Sequence, residues 1–194
     1  RRFPKKDTCL AIYSRCVNTQ LGLPDTLQTV YPWCADWEQE LAELFRHYVA
    51  RKQQNQALDY DDLLLYWQHL VADTEFAEEI GSWFDHVLVD EYQDTNIVQA
   101  QILRSLKPDG AGVTVVGDDA QSIYAFRGAK VGNMADFERE YRVRKIIKLE
   151  QNYRSFGNIL DSANALIAHN ATRLGNLVAD LLDRVHKPEV GRLA

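Results

Sequence analysis

Two adjacent acids, Asp90 and Glu91, directly follow a short, mostly apolar run at residues 86–89. Mg²⁺ prefers oxygen ligands and commonly takes one or two carboxylates together with substrate phosphates. Asp90 can hold such an ion directly or through water, and Glu91 can orient or deprotonate an attacking water. The alternative is that both acids only solvate a strand end, because an acidic pair alone is a weak motif.

Two further polar segments follow later apolar runs. Residues 117–129 contain Gln121, whose amide can contact both a water and a γ-phosphate. Residues 150–155 contain Arg154, whose guanidinium offers a fixed fork of donors to the charge that develops during phosphoryl transfer. Ligands of open α/β sheets bind beyond the carboxyl ends of the strands, so we expect these groups on one rim.

The elements that must position these groups are three short strands, predicted at residues 86–89, 113–116 and 145–149. The first two are apolar enough to suggest burial on both faces of a sheet. Strands that alternate with helices predict an α/β fold with a mainly parallel sheet. The predicted helices span residues 8–17, a short piece from 25 to 32, a longer helix from 36, then 60–70, 95–106, 133–141, 156–169 and much of 172–185.

Composition restricts the class of protein. The chain has 194 residues with a net charge of −6, which argues against a binder driven by overall positive charge. The three cysteines form no C-x-x-C pair, which predicts free thiols, and Cys9 and Cys16 share a helix face suited to core packing. No apolar run approaches bilayer length and no signal peptide is visible, so we expect a soluble cytoplasmic protein without a membrane partner.

Four segments in order carry a family resemblance. Together they resemble the UvrD/Rep family of ATP-dependent DNA helicases from about residue 58 to residue 170, and more loosely over residues 1–57. From the residues alone, Asp61 and Asp62 are charges at a helix start and receive no chemical role. The segments are L-D-Y-D-D-L-L, V-D-E-Y-Q-D-T-N, V-G-D-D-A-Q-S-I-Y-A-F-R-G-A and L-E-Q-N-Y-R-S.

The resemblance implies ATP and Mg²⁺ as cofactors and gives each site residue a role. Asp90 would ligate Mg²⁺ and Glu91 would activate water. Gln121 would link the γ-phosphate to the DNA-binding segment. Tyr153 would stack on adenine, and Arg154 would reach the γ-phosphate from the border between two motor domains.

Single-stranded DNA is the partner that the resemblance implies, with Tyr124 and Phe126 stacking on bases and Arg127 beside them. Base–aromatic stacking is worth roughly 1–3 kcal/mol and tolerates any sequence, which suits a translocating motor. Position 126 carries Phe where relatives often have Trp, so we expect somewhat weaker stacking there with the same role. Taken alone, the two aromatic residues would favour packing, and Arg127 would be a surface arginine or part of an ion pair. The flanking residues reverse the preference for the aromatic residues.

The phosphate cradle G-x-x-x-x-G-K-[ST] does not occur in this sequence. We therefore expect a partial P-loop NTPase (RecA-like) parallel sheet with flanking helices and a helical N-terminal segment. Residues 1–57 would end an inserted helical subdomain, residues 58–155 would form the second half of the first motor domain, and residues 156–194 would start the second.

The absence of the phosphate cradle also implies that the strand preceding it is absent from the sheet. In the family's sheet the P-loop strand lies between the strands predicted at residues 113–116 and 146–149. Without it, both would expose backbone edges, which invite pairing with another chain. We expect the isolated chain to repack, to self-associate through a sheet edge, or to be only partly ordered.

Three functions fit these observations. The first is a segment of an ATP-dependent helicase that translocates 3′ to 5′ on single-stranded DNA, inactive when isolated. The second is a non-enzymatic module, from a degenerate relative, that binds single-stranded DNA or a partner protein. The third is a metal-dependent nuclease that uses Asp90 and Glu91; it ranks last because no lysine is suitably placed after a paired acidic strand.

Overall fold

A computed structural model describes most of the chain. The residues expected to bind DNA (Tyr124, Phe126 and Arg127) and the helix predicted at residues 172–185 lie outside the described part. The described ranges are residues 2–118, 121–122, 132–143, 145–149 and 153–167.

The N-terminal part is helical, as predicted. Helix α1 (Lys6–Thr19) is followed by α2 (Leu23–Val30), a 3-10 helix (Pro32–Trp37) and α3 (Glu38–Gln54). Acids open α3 and bases close it, which suits the helix dipole. The core shared by these helices consists of Cys9, Ile12, Leu27, Cys34 and Leu41.

The apolar residues of α3 and of the turn before it are buried only in part. Leu41 is fully buried and Trp37 and Phe45 pack against the core, whereas Leu44 is exposed. All three thiols are free. Burial raises the pKa of the Cys9 thiol, as expected for a cysteine used in packing.

Two short helices connect this core to the sheet. Helix α4 (Tyr60–Leu70) has the predicted bounds, while α5 (Thr74–Ser82) was not predicted. The Asp73 carboxylate caps α5 by accepting the Glu75 backbone N–H, a local signal that marks a helix start. A second core joins these helices to α6 (Ile97–Leu106); its buried residues are Val71, Ala77, Val98 and Ile102.

The sheet contains two parallel strands in the described part of the chain. Strand β1 (Val87–Val89) pairs with β2 (Val113–Val115), with Leu88 opposite Thr114. Helix α6 lies between them in sequence, which gives the β-α-β order expected of a parallel pair. The α/β class is confirmed, in a molecule that is mostly helical.

The prediction that both sheet faces are covered is wrong. The first and last residues of each strand, all valines, pack with Leu103 of α6 and with Phe137 of α7 (Asn133–Glu140). On the opposite face, Leu88 is 74% exposed. Among the described residues, helices therefore cover one face only, and an apolar strand sequence does not reveal whether a second layer is present.

The prediction of a strand at residues 145–149 is also wrong. These residues are described without strand structure, and Ile147 and Leu149 are largely exposed. A strand is stable only beside a partner that completes its hydrogen bonds, and no described strand lies between β2 and this segment. The next helix, α8 (Gly157–Ile167), begins one residue after its predicted start.

Candidate functional site

The acidic pair lies at the carboxyl end of β1, with both side chains exposed. Asp90 Oδ1 accepts the backbone N–H of Glu91 at 2.9 Å. Glu91 has a φ of 50°, in the left-handed region that costs a residue with a Cβ about 1 kcal/mol. The backbone therefore turns sharply between the strand and the 3-10 helix Tyr92–Asp94.

Tyr92 anchors this turn. Its backbone N–H donates to the Val116 carbonyl at 2.9 Å, which fixes the turn to the end of β2. The buried ring meets Phe137 edge-on, with 5.0 Å between ring centroids. Burial, reinforced by nearby Tyr141 and acids of α7, raises the pKa of Tyr92 to about 12. The phenol is therefore neutral at physiological pH and serves as a packing group.

Both polar atoms of the Gln93 side-chain amide form hydrogen bonds. The side chain is nearly inaccessible, at 2% exposure for the residue. Its Nε2 donates to Glu91 Oε2 at 2.6 Å, and its Oε1 accepts the backbone N–H of Asp118 at 3.0 Å. The Gln93 side chain therefore connects the ends of both strands.

Gln121 continues these contacts on the β2 side. Its Nε2 donates to Asp118 Oδ2 at 3.0 Å, and its backbone N–H donates to the Asp118 carbonyl at 3.0 Å. Hydrogen bonds thus run from Glu91 through Gln93 and Asp118 to Gln121. The structure brings together the polar groups that follow the first two strands.

Tyr153 and Arg154 lie in a bend that precedes α8. Both side chains are exposed, and Tyr153 is 92% exposed. No hydrogen bond of the Glu91-to-Gln121 series involves either residue. Their contact with a nucleotide stays a prediction.

Asp90 fits the donor set of a magnesium–nucleotide site. Its carboxylate is exposed at the open end of β1, and one or two carboxylates suffice when phosphates complete the coordination. Among the described ranges, no group of three or more histidine, cysteine or acidic side chains is placed to hold a metal by itself. In the same part of the chain, no helix is long and apolar enough to cross a membrane.

Sequence reasoning missed an ionic cluster around Lys52 of α3. Its Nζ lies 2.7 Å from Asp59 Oδ2 and 2.7 Å from Asp62 Oδ2, with all three side chains largely buried. The ammonium also lies 4.5 Å from the centre of the Tyr48 ring. Burial opposes the charge, but the hydrogen bonds that Lys52 donates to Asp59 and Asp62 outweigh this effect and raise the pKa of Lys52.

The same acids begin α4. Asp59 accepts the Asp62 backbone N–H, and Asp62 accepts the Asp59 backbone N–H, which forms a capping box. The Asp-x-x-Asp spacing was the available signal for this cap. Burial would raise the pKa of Asp59, yet its hydrogen bond from Lys52 and the cap lower it overall.

A second polar contact joins α1, α4 and α6. Asn18 Nδ2 donates to Asp61 Oδ1 at 2.9 Å, and Asn18 Oδ1 accepts Asn96 Nδ2 at 2.6 Å. Asn96 in turn caps α6 in a capping box with Gln99. Because Asn96 ends the segment that begins with Asp90, the helical N-terminal part contacts the site segment directly.

Comparison with known proteins shows the family to which the chain belongs. Residues 1–142 match the family model described as the UvrD/REP helicase N-terminal domain. This match covers well over half of the chain. The chain therefore belongs to the UvrD/Rep helicase family, as the four sequence segments predicted.

Three relatives illustrate the similarity. The ATP-dependent DNA helicase PcrA of Leuconostoc citreum is 38% identical over 170 residues, or 86% of this chain and 22% of its own length. UvrD1 of Mycobacterium bovis is 45% identical over 149 residues, covering 71% of this chain and 19% of the relative. Rep of Buchnera aphidicola is 34% identical over 81% of this chain and 26% of its own length. The chain thus spans about a fifth to a quarter of these relatives.

Proposed function

We propose that this chain is a segment of an ATP-dependent DNA helicase that couples ATP hydrolysis to movement on single-stranded DNA. The supporting observation is the acidic pair at the end of β1, joined by hydrogen bonds through Gln93 and Asp118 to Gln121. This arrangement connects a group able to activate water with the segment expected to contact DNA. The similar proteins named ATP-dependent DNA helicases support the same activity.

The exposed acids take the hydrolytic roles in this proposal. Asp90 would hold Mg²⁺, which neutralises phosphate charge when bound. The Glu91 carboxylate orients the attacking water and accepts its proton. Gln121 lies at the γ-phosphate, with Arg154 reaching it from the second motor domain. Tyr153, largely exposed before α8, stacks on the adenine.

DNA contact belongs to the residues that follow Gln121. Tyr124 and Phe126 stack on bases of single-stranded DNA, and Arg127 lies beside them. Because stacking is insensitive to base identity, the contact allows movement along any sequence. The short separation in sequence between Gln121 and Tyr124 gives the nucleotide and DNA sites a direct connection.

The proposed organisation follows the family resemblance. Residues 1–57 end an inserted helical subdomain, residues 58–155 form the second half of a RecA-like motor domain, and residues 156–194 begin the next. Translocation runs 3′ to 5′. The isolated chain is inactive because the sequence contains no phosphate cradle, and it self-associates through open sheet edges and the exposed face that carries Leu88.

The test is ATP hydrolysis by the longer protein that contains this chain. We expect Mg²⁺-dependent hydrolysis that single-stranded DNA stimulates, and loss of the activity when EDTA removes the metal. The isolated 194-residue chain, measured at the same concentration, should show only background hydrolysis. A longer protein that binds single-stranded DNA but never hydrolyses ATP would contradict the proposal and indicate a non-enzymatic binding module.

A further inference from the structure

We propose that Gln93 is a positioning residue that holds the Glu91 carboxylate and ties it to the start of the 118–121 segment. This inference rests on the proposed hydrolytic function of Glu91. The amide donates to the carboxylate with one atom and accepts from the Asp118 backbone with the other.

The geometry distinguishes Gln93 from a residue that only fills space. Glu91 is exposed and sits on a left-handed turn, so its flexible side chain has several rotamers available. A hydrogen bond of 2.6 Å from a buried amide selects among them. Gln93 itself is held because its Oε1 is engaged by a backbone N–H and its side chain is enclosed.

Gly117 provides the space for this amide. A Cβ at Gly117 would lie 2.7 Å from Gln93 Oε1 and 2.8 Å from Met134 Sδ. The flexible methionine can move away, but the glutamine oxygen cannot move without losing its bond to Asp118. Gly117→Ala should therefore displace the Gln93 amide without changing the chemical structure of Glu91.

The connection also gives the site a path for regulation. Asp118 accepts from Gln121 through its side chain and donates to Gln93 through its backbone. A shift of Gln121 and Asp118 when DNA binds beyond Gln121 would change the position of Gln93 and with it that of the Glu91 carboxylate. Loss of Gln93 should therefore lower the stimulation of hydrolysis by DNA as well as its rate.

The experiment measures steady-state ATP hydrolysis by the longer protein with and without single-stranded DNA. Gln93→Met preserves the approximate volume and removes both hydrogen bonds. We expect kcat to fall about tenfold, a fraction of the full contribution of a general base, with KM for ATP changed less than about twofold. The ratio of stimulated to basal activity should fall. Gln101→Met, on an exposed position of α6, is the matched control and should behave as wild type.

Two double variants distinguish a positioning role of Gln93 from a general loss of folding. Gly117→Ala alone should reproduce the kcat defect, but added to Gln93→Ala it should cause no further loss because the clash partner is gone. Gln93→Met added to Glu91→Gln should likewise have little effect. Unchanged kcat and DNA stimulation in Gln93→Met would overturn the inference if Glu91→Gln is inactive. An active Glu91→Gln variant, or an inactive wild type, would instead refute the proposed function.

Discussion

At the scale of single residues, the acids of this chain divide by environment. Asp90 and Glu91 are exposed at a strand end, whereas Asp59 and Asp62 are largely buried and both form ion pairs with Lys52. The residue types and their order in the sequence would not distinguish the exposed pair of acids from the buried pair. The separation comes from Lys52, which lies seven residues before Asp59 and reaches both carboxylates only in the folded chain.

Replacing Lys52 should destabilise the chain. Lys52→Met keeps the aliphatic stem but leaves Asp59 and Asp62 close together without a counter-charge. We expect the free energy of unfolding in urea to fall by about 3 kcal/mol, the scale of a broken buried ion pair. Lys6→Met, at an exposed position of α1, should change it by less than about 0.5 kcal/mol. Equal stability of the two variants would contradict a structural role for the cluster.

The stabilisation from Asp59 should depend on pH in acid. Its pKa is lower in the folded chain than its ordinary value of 3.8, so its contribution is present above that value and is lost as pH falls through the folded pKa. Asp59→Asn preserves a helix cap but removes the charge. The stability difference between wild type and Asp59→Asn should be constant from about pH 5 to 7 and shrink below about pH 4. A difference that persists undiminished at pH 3 would exclude this assignment.

At the scale of elements, local signals predicted the helices better than the sheet. Helix α4 was predicted at its observed bounds because its apolar pattern and the acids of its first turn are local properties of the sequence. Residues 145–149 have a strand-like sequence but no strand structure, since strand pairing depends on a neighbour that the segment itself does not encode. Helix α5 was missed although its Asp73 cap is visible in the sequence.

The cap of α6 offers a test of how the helical N-terminal part supports the site segment. Asn96→Asp keeps the oxygen that caps α6 but removes the N–H that donates to Asn18, while Asn96→Ala removes both. We expect Asn96→Ala to lower the free energy of unfolding by about 2 kcal/mol. Asn96→Asp should also lower it, because its carboxylate faces the Asn18 oxygen.

The Asn18 contribution can be isolated by a double-mutant cycle. Asn18→Ala should reduce the difference in stability between Asn96→Asp and wild type, giving a coupling of about 1 kcal/mol in thermal or urea unfolding. Additive effects would mean that the 2.6 Å contact does not connect α1 to α6 in solution.

At the scale of the whole molecule, several large apolar side chains in the described part of the chain are left exposed by the packing of its sheet and helices. Leu88 on the open sheet face and Trp67 and Trp83 in an apolar groove of about 410 Å³ between α4 and α5 are all exposed. The chain also spans only about a fifth to a quarter of the relatives it matches. The motifs in the sequence predicted the family, but they did not predict which faces of the segment would be covered.

This exposure should cause the isolated chain to associate with itself. Light scattering coupled to size-exclusion chromatography should show an average mass that rises with protein concentration above the 22.3 kDa of one chain. Leu88→Lys places a charge on the open sheet face and should lower the degree of association. The matched variant Leu10→Lys changes an exposed leucine of α1 and should not. A strictly monomeric wild-type chain at all concentrations would contradict the expectation.

The central claim, that Glu91 activates water at the end of β1, is tested most directly by single-turnover ATP hydrolysis in the longer protein. Glu91→Gln should lower the hydrolysis rate by at least about a hundredfold, while the Kd values for ATP and single-stranded DNA change little. Glu78→Gln, on an exposed position of α5, should retain the wild-type rate. Hydrolysis by Glu91→Gln at a rate close to wild type would contradict the account.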